Sequence, residues 1–279
     1  MSTEADITAH YSSGELLQRL RAVLIEDGAD PDAPTIEAMA PYDQFHGRGL
    51  EATEELAQAL DAGPDDHVLD VGCGIGGPAR YMADRFGCRV TGIDLTPEFC
   101  DAARHVSRLM GLDDRVTFEQ GDATAMPFEG LSFDRAYSMN VSMNIADKAG
   151  FCGEIHRVLK PGGRLILSEI AQGPGGDVDY PTPWARTAAS SFLSTLEETR
   201  AGLEACGFAV EQLRDTSAEV MAFGARSRAI VEAGGKPPHR AVQLFHGDLA
   251  SESMGNTSRG VAERRLIPIE IVCRKAGQA

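Results

Sequence analysis

The chain has 279 residues, 43% of them apolar and 24% charged, the proportions of an ordinary globular protein. Its 26 basic residues face 42 acidic ones, a formal net charge of −16, so nucleic acid and anionic membrane surfaces are excluded as partners by repulsion. No basic cluster precedes an apolar segment and no run of about 18 apolar residues occurs, so the sequence predicts neither a leader peptide nor a membrane span. The six cysteines are scattered singly, which suits reduced thiols in the cytoplasm, and no His/Cys cluster has the spacing of a metal site.

In chain order, residues 1–41 stand apart from any sheet. A helix is expected from Ser13-Gly14-Glu15, with Leu16, Leu17, Leu20, Val23 and Leu24 at helical spacing, then an acidic, proline-containing link over 26–34. This arm reads either as a cover over the active site or as a surface appendage. Pro41-Tyr42-Asp43-Gln44-Phe45-His46-Gly47 reads as an irregular, shaped loop that leads into a helix over 50–60. The informative stretch comes next. Val68-Leu69-Asp70-Val71 is a short apolar run with one acid, a buried parallel strand. Gly72, Gly74, Gly76 and Gly77 follow, where the backbone can turn sharply and lie against a ligand. Pro78 opens a helix over 79–86, and a second strand ends at Asp94. Strand, glycine turn, helix and strand with a terminal acid make a nucleoside-binding unit, in which Asp94 accepts from ribose hydroxyls. Gly72-x-Gly74-x-x-Gly77 also satisfies the dinucleotide pattern, so an NAD-dependent oxidoreductase is the competing class. Asp70 disfavours it, because a carboxylate before the turn receives an ammonium but repels a pyrophosphate.

Thr96 should cap a helix over 99–111, and the third strand, 116–119, ends at Gly121-Asp122-Ala123. The fourth, 133–138, runs into Met139-Asn140-Val141-Ser142-Met143-Asn144, where Asn144 either faces a ligand or caps the following helix, 148–159. Lys160-Pro161-Gly162-Gly163 reads as a tight turn into a fifth strand, 164–170. Residues 173–195 form an insertion with a stiff loop Tyr180-Pro181-Thr182-Pro183-Trp184 and a helix-like stretch, 185–193. Trp184 there either walls a substrate pocket or packs in the core. A helix over 196–206 is closed by Gly207, and a sixth strand follows at 208–213. A second insertion, 215–265, carries a helix over 218–232, a further helical stretch and a polar run over 251–260, and the chain ends in a strand, 266–273.

The segments DVGCGIGG, GIDL, GDATAMPF and LKPGGRLILSE resemble, in order and spacing, the motifs of the class I S-adenosylmethionine-dependent methyltransferases, over residues 42–215 plus the last strand. The resemblance implies an α/β fold: a doubly wound, seven-stranded, mostly parallel, Rossmann-like sheet with its last strand antiparallel between the fifth and sixth. Helical cover elements would surround it, with residues 1–48 as arm and cover loop, 49–279 as the methyltransferase domain, and lid insertions at about 173–195 and 215–265. It implies S-adenosylmethionine as cofactor, held by Gln44, Asp70, Gly72, Gly74, Gly76, Gly77, Asp94, Leu95, Gly121, Asp122, Ala123 and Asn140. It implies further that Tyr42, Asn144 and Trp184 contact a small-molecule acceptor, and that Tyr42 and His46 are the candidates to take up a proton. The pieces PYDQFHGRG, EAT and YPTPWA are similar to the branch that includes sarcosine and dimethylglycine N-methyltransferases, which points to an amine nitrogen of an amino-acid-like metabolite. An oxygen or sulfur of another small metabolite is the alternative, and a non-catalytic adenosylmethionine-binding module is a third class. A homodimer is left open as the assembly.

Overall fold

The protein is described by a computed structural model over residues 15–277, so the expected helix start at Ser13-Gly14 lies outside the described residues. Seven strands form one sheet in the order β3-β2-β1-β4-β5-β7-β6. They are β1 (His67–Val71), β2 (Arg89–Asp94), β3 (Val116–Gln120), β4 (Phe133–Met139), β5 (Leu159–Gln172), β6 (Phe208–Asp215) and β7 (Leu266–Lys275). β1 to β5 pair in parallel, and β7 runs antiparallel to both β5 and β6. The expected sheet, including its reversed last strand, is therefore present.

Alternation along the strands supplies two cores. Leu69, Val71, Leu165 and Leu167 point to one face, against Phe151 and Ile155 of α6 (Lys148–Val158) and Leu203 of α7 (Leu196–Ala205). Val68, Val90, Tyr137 and Ile166 point to the other, against Leu56 and Leu60 of α3 (Leu50–Leu60) and Met82 of α4 (Gly77–Phe86). Burial on both faces is what keeps these parallel strands apolar. β1 and β4 are neighbours whose crossovers leave to opposite sides, so a crevice opens at their carboxyl ends.

From residue 15 onward, the N-terminal arm is a packed layer and not an appendage. Leu16, Leu20 and Leu24 of α1 (Leu16–Glu26) are buried against Ile75 of the glycine turn, Phe99 and Val106 of α5 (Pro97–Leu109), and Leu244 of α9 (Ala241–His246). Its end is clasped by charge: Asp27 accepts from the Tyr42 hydroxyl at 2.7 Å and from Lys236 Nζ at 2.7 Å, and the Arg240 guanidinium also donates to it.

Several sequence expectations are corrected. Pro41 to Asp43 are helical, the last residues of α2 (Ile36–Asp43), because Thr35 caps the helix on Ala38 and Asp43 is anchored by Arg80; only 44–47 are irregular. Thr96 heads α5 but its side chain makes no capping bond. Asp147, not Asn144, caps α6, accepting from Gly150. Lys160 to Gly163 do not separate a turn from a strand: β5 starts at Leu159, and the glycines form an irregularity where its register with β4 jumps from Phe133↔Leu159 to Arg135↔Arg164. Residues 185–193 contain only a 3₁₀ turn, Ala188–Ser190, where the Ser190 hydroxyl bonds back to the Thr187 carbonyl. The polar run 251–260 lies inside α10 (Ala250–Ala262), where Ser253 and Thr257 return their hydroxyls to the carbonyls of Leu249 and Ser253.

One close approach fixes the loop over the crevice. A Cβ on Gly77 would lie 2.2 Å from the Asp43 carbonyl oxygen and 2.6 Å from Gln44 Nε2. Beside it, Arg80 donates to Asp43 Oδ2 at 2.9 Å, an ion pair with both side chains almost wholly buried. Gly77→Ala is expected to lower stability by about 1–3 kcal/mol through overpacking, read as a lower urea midpoint; an unmoved midpoint would show that α2 can retreat freely.

Candidate active site

The crevice beyond β1, β2 and β4 encloses about 930 Å³. Asp70, one residue from the end of β1, is 2% exposed and lines it. Its Oδ2 has no hydrogen-bond partner in the protein. Burial raises its pKa to about 7, with the neighbouring Asp94 charge acting in the same direction and the Tyr137 phenol against it. A buried carboxylate oxygen with an empty lone pair calls for an external donor, and the α-ammonium of a methionine tail supplies one.

Asp94, at the tip of β2, is arranged differently. Its Oδ1 accepts from Thr96 N and its Oδ2 from Gly74 N, each at 2.9 Å. One donor per oxygen leaves lone pairs for two vicinal hydroxyls, the requirement of a ribose. Leu95 stands beside it on the crevice wall, as do Gly121, Asp122 and Ala123 from the end of β3. Both Asp122 oxygens already accept from Thr124, from its N–H and its hydroxyl, at 2.8 Å each. Asp122 therefore shapes this edge with its loop as much as with its charge.

The four glycines divide. Gly72 and Gly74 line the crevice with φ of +76° and +52°. A Cβ on Gly72 would strike Val141 at 2.2 Å, whereas none would meet anything within 4 Å at Gly74, which is open to a ligand. Gly76 and Gly77, expected at the cofactor, do not line the crevice: a Cβ on Gly76 would enter the Phe118 ring at 2.5 Å, and Gly77 carries the α2 contact. Their need is packing. Gly92 in β2, not singled out in the sequence, is demanded in the same way, by Cys73 and Phe118.

A second cavity, of about 1160 Å³ with the solvent-open space at its mouth included, adjoins the first. Phe45, His46 and Asn140 line both, so they stand between them. Asn140 has a left-handed φ of +57°, which asparagine tolerates, and its N–H donates to Ser168 O at 2.8 Å. The second cavity is walled chiefly by apolar side chains, among them Met143, Ile170, Trp184, Phe223, Met254 and Val261. Trp184 is 3% exposed, packed with Met143 and Val261, and it lines this second cavity, its Nε1 donating to Ser191 Oγ. Asn144 borders the first cavity, and its amide donates to the carbonyls of Trp184 and Ser190, holding the 173–195 segment in place.

The loop residues fall otherwise than expected. Tyr42 lines neither cavity; its hydroxyl is bound to Asp27, the Arg240 guanidinium covers its ring at 4.7 Å, and burial with the Asp27 bond pushes its pKa to about 12. Gln44 is fully buried and also absent from both walls. It links Asp43, to which its Nε2 donates, with Thr53, whose hydroxyl it accepts at 2.6 Å. His46 does line both cavities, but its Nε2 lies 3.0 Å from Thr53 Oγ1 and its Nδ1 3.2 Å from Gly47 O. Burial lowers its pKa to about 3. Thus His46 is a wall that burial keeps uncharged, poorly suited to receive a proton.

The acid at the chamber is Glu169, which the sequence reading passed over. It is 3% exposed near the end of β5, accepts from Val141 N and Ser142 N at 3.2 and 3.1 Å, and burial raises its pKa to about 7 against the pull of Ser142 and Lys148. The signal was the same as for Asp70: one carboxylate at the carboxyl end of an apolar strand.

Residues 69–167 match the family described as a methyltransferase domain. The chain is 31% identical over 215 residues to the methyltransferase GfsG of Streptomyces halstedii, covering 76% of this chain and 75% of that one. Further curated relatives are matched over only 25 to 40% of their own length. In fold it is similar to geranyl diphosphate C-methyltransferase from Streptomyces coelicolor A3(2), solved with S-adenosyl-L-homocysteine, with a TM-score of 0.71, 19% identity and 99% of both chains covered. It is also similar to phosphoethanolamine N-methyltransferase 2 of Haemonchus contortus, with a TM-score of 0.69, 20% identity, and 88% of this chain and 58% of that one covered.

Asp70→Asn is expected to weaken S-adenosylhomocysteine binding by about 1–3 kcal/mol, measured by calorimetry. Because ionised Asp70 is the form that pairs with an ammonium, wild-type affinity should rise as pH increases through about 7. A flat profile in the wild type would remove Asp70 from the tail site.

Proposed function

The chain belongs to the class I S-adenosylmethionine-dependent methyltransferases, and on that premise we propose that it methylates a hydroxyl oxygen on a bulky, largely apolar small molecule. The observation that carries this reading is the chamber of about 1160 Å³ that meets the cofactor crevice at Phe45, His46 and Asn140 and has Glu169 in its wall. An amino-acid-like acceptor fits it poorly. A small zwitterion would forfeit hydration against Met143, Trp184 and Val261 with few partners in return. An apolar frame gains from the same walls and displaces the water.

Bound S-adenosylmethionine supplies an electrophilic methyl whose carbon–sulfur bond breaks as the acceptor oxygen bonds to carbon, the electron pair passing to sulfur. The residues of the chain do the rest. Asp70 and Asp94 hold the two ends of the cofactor, which fixes where the methyl points. Phe45, uncharged His46 and Asn140 border both spaces and keep solvent from the line of transfer. Glu169, as a carboxylate, accepts the hydroxyl proton; its burial leaves it a base near neutral pH, where an ordinary glutamate would be too weak.

Turnover of a panel of hydroxylated, amino and thiol compounds on small and bulky frames tests the reading, with bulky alcohols or phenols expected to lead. Preference for small amines such as sarcosine would overturn it. Glu169→Gln is expected to lower kcat by about 10²–10⁴ with cofactor affinity kept. With the carboxylate as base, wild-type kcat should fall as pH drops through about 7, and Glu169→Gln should lose that limb.

A further inference from the structure

The roof of the acceptor chamber is α8 (Ser217–Glu232), a helix of 16 residues none of which is buried. Val220, Gly224 and Arg228 follow one another at i, i+4 and i+8, one face of the helix, and all three line the chamber. Its start is fixed beside the reacting end. Thr216 N donates to Pro268 O at 2.8 Å, and Pro268 pairs with Ile170, the residue after Glu169.

Gly224 has no protein-internal reason to be glycine. It is helical, and a Cβ there would meet only Arg228 NH1, at 3.6 Å. Glycine is nevertheless the poorest helix former after proline. Its effect is a flat patch of chamber wall over which the Arg228 guanidinium lies. That guanidinium also differs in its pairing from the arginines around it. Arg48, the other arginine lining the chamber, is bound through two parallel bonds to Glu55, and Arg226 on the same helix is bound to Glu51. Arg214 nearby pairs with Glu270. Arg228 has no hydrogen bond or ion pair among the described residues, though the chain as a whole is strongly acidic.

We infer that Arg228, lying over Gly224, is an anion-recognition site for the acceptor, which therefore carries an acidic group at the end of its apolar frame remote from the methylated atom. Gly224 is a little over two turns from Thr216, about 12 Å along the helix. The acidic group is thus read about that far from the Glu169 end, with Met221, Phe223 and Met254 enclosing the frame between them. A carboxylate matches the planar fork of an arginine with two charge-assisted bonds.

This inference rests on the proposed acceptor chamber, and the test separates the two. Three hydroxylated frames (a decanoyl chain, a naphthalene and a steroid) are prepared as free carboxylate and as methyl ester. Each is titrated into the enzyme saturated with S-adenosylhomocysteine, in wild type and in R228Q. For at least one frame the acid should bind about tenfold or more tighter than its ester, the strength of one charge-assisted pair. R228Q should remove that difference, while its affinity for S-adenosylhomocysteine shows that it is folded. Equal affinity of acid and ester on every frame, no binding by any frame, or a preference that survives in R228Q overturns the site. Turnover is read separately: a frame bound with the expected preference but never methylated sinks the hydroxyl reading and leaves the anion site standing. Methylation of acid and ester alike, at equal affinity, does the reverse.

Discussion

The constraint on which the site depends is steric: Asp43 and Gly77 approach so closely that no side-chain carbon fits between them. The buried Arg80–Asp43 pair holds the contact from the side, and an ion pair so fully withdrawn from water tolerates the loss of neither partner. From Asp43 a chain of buried hydrogen bonds runs through Gln44 and Thr53 to His46. The glycine turn, whose first half faces the cofactor, is thereby coupled through its second half to the wall between the two cavities. The crevice and the cavity beside it are positioned by one piece of packing.

Electrostatics then assigns the work among carboxylates that look alike in the sequence. Asp70 is buried with a free oxygen, so it waits for a donor. Asp94 already receives two backbone N–H groups and stays an acceptor for hydroxyls. Asp122 is satisfied by Thr124 and acts on the shape of its loop. Glu169 is buried beside two N–H groups and an apolar chamber, which leaves it a base of moderate strength. On the proposed reading these four acids at strand ends take four tasks, and what separates them is the kind and placement of the donors each already has.

That difference also marks how far the sequence could be read. The sheet and the positions of Asp70, Gly72, Gly74 and Asp94 were legible, since periodicity and spacing report directly on strands and turns. Side-chain targets were not. Nothing local tells that the Tyr42 hydroxyl turns outward to Asp27, or that Gln44 spends its amide between Asp43 and Thr53, because those partners lie elsewhere in the chain. Gly76 and Gly77 carried the right residue type for a different reason, packing against Phe118 and Asp43. The stretch 185–193 looked helical by its apolar content, yet the Met143 carbonyl draws Phe192 N away and Asn144 pins the segment across the chamber edge. Glu169 was visible in principle; its strand was read for its apolar run and its acid was passed over.

The placement of β7 has a bearing on biosynthesis. β5 and β6 are not neighbours in the sheet; each pairs with β7, which is translated after both. A nascent chain can assemble β1 to β5 early but holds β6 without a neighbour until the final segment emerges. Since Pro268 of that segment anchors the start of the helix over the acceptor chamber, cofactor pocket and acceptor pocket mature at different moments of translation.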